Sequence, residues 1–74
     1  MDVKTVSVVG LGYIGLPSAI LIANNGFKVL GYDINIDVVE NIKNLNIPEN
    51  EPNLKKLTKK ALKNNSLEVS NKLL

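Results

Sequence analysis

The 74-residue sequence contains no cysteine, no histidine and no tryptophan, and all nine of its basic residues are lysines. Without cysteine and histidine, these residues cannot form disulfides, perform thiol or imidazole catalysis, or build a metal site of the Cys/His type. Aromatic residues make up only 4% of the chain, and no apolar run approaches the ~20 residues that a membrane span requires. We therefore expect a soluble chain, located in the cytoplasm.

The length and the charge set further bounds. A chain of 74 residues forms at most one small domain, and a domain of this size buries only about 60% of its unfolded surface. Its core should therefore be marginal. The net charge is +2, and five lysines lie close together in the second half of the chain. Since no arginine or aromatic residue lies among them, they indicate a solvated helix face rather than a nucleic-acid surface: Lys55, Lys56, Lys59, Lys60 and Lys63.

One segment carries a specific pattern. The β-branched run Val6–Val9 leads directly into a G-x-G-x-x-G turn formed by residues 10–15. The run is typical of a parallel strand that is buried on both faces. A turn of this kind aims backbone N–H groups and the positive end of a helix dipole at a bound anion. Gly10 allows the sharp turn, Gly12 the approach of phosphates, and Gly15 the close packing of the helix on the sheet.

The residues after the turn predict a helix from Ile14 to Asn24. Small residues recur along one side of it, at Gly15, Ala19 and Ala23, and this spacing lets the helix axis lie close to the sheet. Asn25-Gly26 ends the helix, because glycine adopts the positive φ that a helix C-terminus often needs.

The next predicted strand, residues 27–33, ends in an acidic residue. Asp33 follows Gly10 by 23 positions, close to the spacing of about 20 in dinucleotide-binding units. A carboxylate here can accept hydrogen bonds from the adenosine ribose and would repel a 2′-phosphate, which the chain has no arginine to hold. The pattern predicts NAD rather than NADP. An alternative is that Asp33 only caps the next helix.

In the remainder of the chain predicted helices again lead to a predicted strand, and this order of strands and helices indicates an α/β fold. An amphipathic helix is predicted over residues 37–45 with Asn35 as its N-cap. A polar loop, residues 46–51, leads to a third helix that begins near Pro52 and runs to Lys63, with an apolar stripe opposite the lysines. Leu67–Ser70 alternates and is predicted to be a third strand.

Three segments together resemble the N-terminus of the nucleotide-sugar 6-dehydrogenases: Gly10–Pro17 (Gly-Leu-Gly-Tyr-Ile-Gly-Leu-Pro), Gly31–Asn35 (Gly-Tyr-Asp-Ile-Asn) and Glu51–Leu54 (Glu-Pro-Asn-Leu). The extended glycine motif and the later Glu-Pro-x-Leu are much more specific than the glycine triplet. Within the family, the UDP-N-acetyl-D-mannosamine dehydrogenases are the most similar, and the UDP-glucose dehydrogenases are similar at the same places. The sugar therefore stays open.

The resemblance implies a fold and a cofactor site. Residues 1–74 would be the N-terminal part of a Rossmann domain, the first half of a doubly wound parallel sheet, with three strands in the order 3-2-1. The pyrophosphate of NAD would lie on Gly10, Gly12 and Gly15 and on the amides of Tyr13 and Ile14, and Asp33 would hold the ribose. Family members oxidise the C6 alcohol of a UDP-sugar in two NAD-dependent steps through a cysteine thiohemiacetal.

The same resemblance implies what the chain does not contain. The family's nucleophilic cysteine, the lysine and asparagine that assist it, and the sugar-binding domain lie beyond Leu74, so we assign no catalytic residue and expect no activity from the chain alone. The strand over residues 6–9 would lack the neighbour it has in the family. We therefore expect the chain to self-associate through that edge, and to bind NAD weakly because one mononucleotide half is missing.

Other classes of function share this opening pattern. A non-enzymatic NAD-sensing module would use the same fold and differ only in the domain that follows. A methyltransferase that uses S-adenosylmethionine also has a glycine turn and a ribose-binding acid, but the six-residue glycine motif with Leu16-Pro17 favours a dinucleotide. An interaction piece that binds no ligand is a further alternative.

Overall fold

The computed structural model describes residues 4–12, 15–47 and 52–72. The elements follow one another as strand β1 (Thr5–Val9), helix α1 (Gly15–Asn24), strand β2 (Lys28–Tyr32), helix α2 (Ile36–Lys43), helix α3 (Pro52–Lys63) and strand β3 (Leu67–Ser70). The three strands form one parallel sheet in which β2 lies between β1 and β3. The predicted fold class and the strand order 3-2-1 are confirmed.

The helices cover one face of the sheet. In register across the three strands, Val6 pairs with Val29 and Val29 with Leu67. Alternate residues of β3 are buried and exposed, as expected for a strand with one covered face. Because the residues of the opposite face are exposed or half-buried, the core lies between the helices and this single face. It consists of Leu11, Leu16, Ala19, Ile20, Ala23, Val29, Val39, Ile42, Ile47, Ala61, Leu67 and Val69.

The prediction that Val6–Val9 is buried on both faces is wrong. Within β1, Val6 and Val8 are half-buried, whereas Ser7 is exposed and Val9 keeps 69% of its surface accessible. Two features explain this. Among the described residues β1 pairs only with β2, and the helices cover only the face to which Val6 and Val8 belong.

The helix ends follow the predicted signals, with one difference. Gly26 has a φ of +94° just after α1, as predicted for its C-terminal turn. Asn35 caps α2, because its side chain accepts a hydrogen bond from the Asp37 N–H at 2.9 Å. Helix α2 ends at Lys43 rather than at the predicted Leu45, because Leu45 adopts a left-handed φ of 59°. The start of α1 predicted at Ile14 lies outside the described residues.

Helix α3 and strand β3 have the predicted bounds. All five clustered lysines are exposed, as predicted for the polar side of α3. Thr58 was not predicted to be buried, yet it is fully enclosed and its hydroxyl donates to the Leu54 carbonyl at 2.6 Å. That bond satisfies the hydroxyl inside the core. Within the described ranges, no helix is long and apolar enough to cross a membrane; the cytoplasmic location stays a prediction.

Candidate functional site

The candidate site lies where β1 and β2 end side by side. Val9 pairs with Tyr32 at the ends of the two strands, and the Gly10 N–H then donates to the Tyr32 carbonyl at 2.7 Å. On the other side, the Asp33 N–H donates to the Ser70 carbonyl at 3.1 Å. These bonds continue the sheet ladder by one residue. They bring the glycine turn and Asp33, which are far apart in sequence, to the same edge.

The first part of the turn has the conformation that its glycines permit. Gly10 has a φ of +89°, in the left-handed region where other residues are strained. A Cβ atom built on Gly12 would meet no atom within 4 Å, so the backbone faces open space there. The Leu16 N–H donates to the Gly12 carbonyl at 3.2 Å, which joins the turn to the first turn of α1.

Gly15 is required for a different reason. A Cβ atom on Gly15 would overlap the carbonyl oxygen and carbon of Gly10, so the start of α1 packs directly on the end of β1. Farther along the helix, Ala19 and Ala23 are buried. The close packing predicted for this small-residue stripe is confirmed. The predicted phosphate-binding amides of Tyr13 and Ile14 lie outside the described residues.

Asp33 is bound to the glycine turn through its side chain. Its Oδ2 accepts a hydrogen bond from the Leu11 N–H, and its Oδ1 one from the Asn35 N–H, each at 2.9 Å. These two bonds, that from Leu11 first, lower the pKa of Asp33 below its usual 3.8, against the small opposing effect of burial. The carboxyl is therefore ionised at neutral pH. Asp33 is not the N-cap of α2, since Asn35 occupies that position.

Two residues of this region were missed by the sequence reasoning. Leu11 keeps only 2% of its surface exposed, although it lies inside a turn. Its side chain lies against Gly31 in β2, where a Cβ atom would come within 2.9 Å of Leu11 Cδ2. A glycine inside a strand often marks the close approach of another group, so Gly31 was the signal that could have revealed this contact.

The rest of the described surface shows fewer features of a binding site. Two apolar residues shortly after Asp33 are exposed, with 82% of Ile34 and 45% of Ile36 accessible. Within residues 4–12, 15–47 and 52–72, no group of three acidic residues is arranged to hold a metal ion. A cavity of about 140 Å³ lies between the C-terminal ends of α1 and α3. It is at the opposite end of the sheet from the glycine turn, so it takes no part in this site.

A parallel sheet, a glycine turn that opens into a helix, and an acidic residue after the second strand together define a nucleotide-binding domain of the Rossmann type. Residues 4–74 match the NAD binding domain of the UDP-glucose/GDP-mannose dehydrogenase family. The chain belongs to this family.

Individual relatives agree with that assignment. The chain is 46% identical to a UDP-N-acetyl-D-mannosamine dehydrogenase of Methanococcus maripaludis over 68 residues, which are 92% of this chain and 16% of that protein. It superposes with a TM-score of 0.84 on the UDP-N-acetyl-mannosamine dehydrogenase of Staphylococcus aureus, at 40% identity, covering 95% of this chain and 17% of the other. A UDP-glucose dehydrogenase from Pyrobaculum islandicum gives 0.82 at 33% identity, covering 96% and 16%. The chain thus spans about one sixth of the length of its relatives.

Proposed function

We propose that residues 1–74 supply the first mononucleotide-binding half of an NAD site, as the N-terminal part of a Rossmann domain. The observation that carries the proposal is the meeting of the glycine turn with Asp33, whose Oδ2 lies 2.9 Å from the Leu11 nitrogen. Membership of a family defined by its NAD binding domain supports the choice of ligand.

The pyrophosphate would lie at the start of α1. Gly12 leaves open space where a side chain would stand, and the first turn of a helix presents free N–H groups and a partial positive charge. We propose that Gly10, Gly12 and Gly15 shape this surface, and that the Tyr13 and Ile14 amides donate to the phosphate oxygens.

The ribose would lie on Asp33. An ionised carboxylate has about four acceptor positions on its two oxygens, and Asp33 uses one on each oxygen for the Leu11 and Asn35 amides. One position on each oxygen therefore stays available, which suits the two hydroxyls of an adenosine ribose. The same negative charge would repel a 2′-phosphate, and no arginine is present to offset it. The proposed cofactor is thus NAD rather than NADP.

The relatives are about six times as long as this chain. For a protein of that length that contains this chain, we propose oxidation of the C6 alcohol of UDP-N-acetyl-D-mannosamine to a carboxylate. This four-electron oxidation uses two NAD per turnover, because each NAD accepts one hydride. The described residues would bind and orient the adenosine half of the cofactor. None of them is assigned a catalytic role, and we expect no activity from the chain alone. UDP-glucose is the second candidate substrate, favoured by the similarity to the Pyrobaculum islandicum enzyme.

We also propose that the 74-residue chain associates with a second copy of itself. Among the described residues β1 pairs only with β2, so its other edge presents backbone groups without a strand partner. Val9 adds an exposed apolar side chain at the end of that edge. An apolar strand edge of this kind is a template for pairing with another chain.

The cofactor proposal is tested by titrating NAD into the ¹⁵N-labelled chain and following the backbone amide signals. We expect the largest changes at Leu11, Gly12 and Gly15, and none beyond the background at Asn64 and Asn65, which lie at the opposite end of the sheet. ADP should cause the same changes as NAD, and nicotinamide mononucleotide should cause smaller ones. Changes centred away from the glycine turn, or no change at millimolar NAD, would contradict the proposal.

A further inference from the structure

Leu11 is the buried residue in the first part of the glycine turn, residues 10–12. It is buried to 2% exposure between Gly10 and Gly12, and its side chain extends over Gly31 of β2. The space that it fills exists because residue 31 is glycine: a Cβ atom there would lie 2.9 Å from Leu11 Cδ2 and 3.0 Å from Leu11 Cδ1. The same Cβ atom would lie 3.4 Å from Val69 Cγ1, so the space over Gly31 is bordered by side chains of the turn and of β3.

The backbone around Leu11 is held by the same strand. The Gly10 N–H donates to the Tyr32 carbonyl at 2.7 Å, and the Leu11 N–H donates to Asp33 Oδ2 at 2.9 Å. Residue 31 leaves space for the Leu11 side chain, and residues 32 and 33 accept hydrogen bonds from the two backbone amides. Three consecutive residues of the chain therefore hold two consecutive residues of the turn. None of these contacts involves a ligand.

We propose that Gly31 and Asp33 are positioning residues that fix the glycine turn in its ligand-binding conformation before a nucleotide arrives, by holding Leu11. The inference rests on the proposed function only for the identity of the ligand. An ordered turn has less conformational entropy to lose on binding, and this raises its affinity for phosphate. Asp33 then has two simultaneous roles, because its bond to Leu11 leaves acceptor positions for the ribose.

A simpler account gives Asp33 the ribose alone and treats Gly31 as an ordinary strand residue. It predicts that neither residue affects the turn in the absence of nucleotide. It also leaves Gly31 unexplained, because glycine inside a strand costs stability and packs no side chain. The two accounts therefore differ in the ligand-free protein, where the test is made.

The first test measures hydrogen exchange of the Leu11 amide in the ligand-free chain and in two variants that remove the same charge. Asp33→Ala removes both acceptors, whereas Asp33→Asn keeps one oxygen. Because a hydrogen bond to a charged group is stronger than one between neutral groups, we expect Asp33→Ala to lower the protection of the Leu11 amide at least about tenfold. Asp33→Asn should preserve the protection of either the Leu11 or the Asn35 amide, but not of both.

The control is the Val29 amide, which donates to the Ser66 carbonyl at 2.8 Å at the other end of β2. Its protection should stay unchanged in both variants if the effect is local. If the Leu11 amide exchanges freely in the wild-type chain, or keeps its protection in Asp33→Ala, the positioning role of Asp33 is overturned.

The second test concerns Gly31 and uses inorganic pyrophosphate, a probe that has no ribose. Gly31→Ala should weaken pyrophosphate binding and lower the protection of the Leu11 amide, because the new methyl group displaces the Leu11 side chain. In a Leu11→Ala background, where that side chain is absent, the same substitution should add little. Equal effects in the two backgrounds would show that Gly31 does not act through Leu11.

The outcomes separate this inference from the proposed function. If NAD fails to bind while the exchange of the Leu11 amide depends on Asp33 as expected, the cofactor assignment fails and the positioning of the turn stands. If NAD binds at the turn while the Leu11 amide is indifferent to both variants, the positioning inference fails and the cofactor assignment stands.

Discussion

Single residues in the glycine turn have distinct structural duties, and the contacts around them tell these duties apart. Gly10 supplies a left-handed φ of +89°, Gly15 allows α1 to touch the Gly10 carbonyl, and Gly12 leaves a surface open. Gly12 differs because it has no positive φ to adopt and a Cβ atom there would meet no atom within 4 Å; its carbonyl bond to the Leu16 N–H is a backbone contact that any residue could make. Substitutions of Gly10 or Gly15 should therefore damage the fold, whereas a substitution of Gly12 should damage binding.

Gly15→Ala and Gly12→Ala form a matched pair. Because the added Cβ at residue 15 would overlap backbone atoms of Gly10, we expect Gly15→Ala to lower the free energy of unfolding by about 1–3 kcal/mol or more. Gly12→Ala should leave that free energy within about 0.5 kcal/mol, yet weaken NAD binding at least tenfold. Urea unfolding and calorimetry measure the two effects. A stable Gly15→Ala chain would contradict the packing described here.

The pH dependence of stability should carry the signature of Asp33. Its pKa is lowered in the folded chain by the Leu11 amide and then by the Asn35 amide. A lowered folded-state pKa stabilises the fold above the ordinary value of 3.8, and this contribution is lost as the pH falls through the folded-state pKa. Asp33→Asn should therefore be less stable than wild type at neutral pH, and the difference should shrink on acidification.

Urea midpoints measured from neutral to strongly acidic pH for both proteins provide the check. Asp37→Asn is the comparison variant, because Asp37 is an exposed aspartate in the first turn of α2. A difference between wild type and Asp33→Asn that stays constant over the whole range would show that the two amide bonds do not hold the ionised carboxylate.

At the scale of elements, the residues at the helix ends determine where each helix begins and ends. Helix α2 begins because the Asn35 side chain accepts the Asp37 N–H at 2.9 Å. After α1 and α3, the chain turns away at residues with positive φ two positions beyond the last helical residue, Gly26 and Asn65. These signals are local, since each depends on residue types within one turn of the helix end. They also place Asp33 next to the start of α2, where the Asn35 backbone can reach it.

Asn35→Ala should weaken α2 without touching the glycine turn directly. Loss of the side-chain bond to an N–H group costs about 1 kcal/mol at an N-cap, which corresponds to a fall in Tm of about 4–8 °C for a domain of this size. Asn35→Asp should retain the stability of the wild type, because aspartate caps equally well and suits the positive end of the helix dipole. Thermal unfolding followed by circular dichroism measures both; equal losses in the two variants would rule out the cap.

Elements and site residues could be predicted from the sequence wherever the determining contacts are local or periodic. The bounds of α3 and β3, the Asn35 cap and the edge shared by Gly10 and Asp33 follow from such patterns. What could not be predicted depends on contacts between distant segments. The burial of Leu11 needs the space over Gly31, and the exposure of Val9 depends on which neighbours β1 has in three dimensions.

At the scale of the whole molecule, the chain is a compact layer of helices on one face of a small sheet. Its radius of gyration is 11.3 Å, and a compact domain of this length is expected to have about 11 Å. The opposite sheet face and one edge of β1 are not covered by the described residues. The described residues therefore leave apolar surface such as Val9 exposed.

Self-association of the 74-residue chain should depend on that edge. We expect sedimentation velocity to give a weight-average mass that rises with concentration. Val9→Lys should reduce the rise, because a lysine on an edge strand opposes pairing with another strand. Leu21→Lys is the matched control, since Leu21 is also exposed, at 65%, but lies on α1. A monomer at every concentration, or equal effects of the two variants, would contradict association through β1.

The central claim is that the glycine turn and Asp33 together bind NAD in preference to NADP. Calorimetric titration of the chain with each dinucleotide tests it most directly. We predict weak binding of NAD and weaker binding of NADP, because in the proposed site the Asp33 carboxylate would accept the ribose hydroxyls and repel a 2′-phosphate. Equal or tighter binding of NADP would contradict the assignment of Asp33 and, with it, the account of this site.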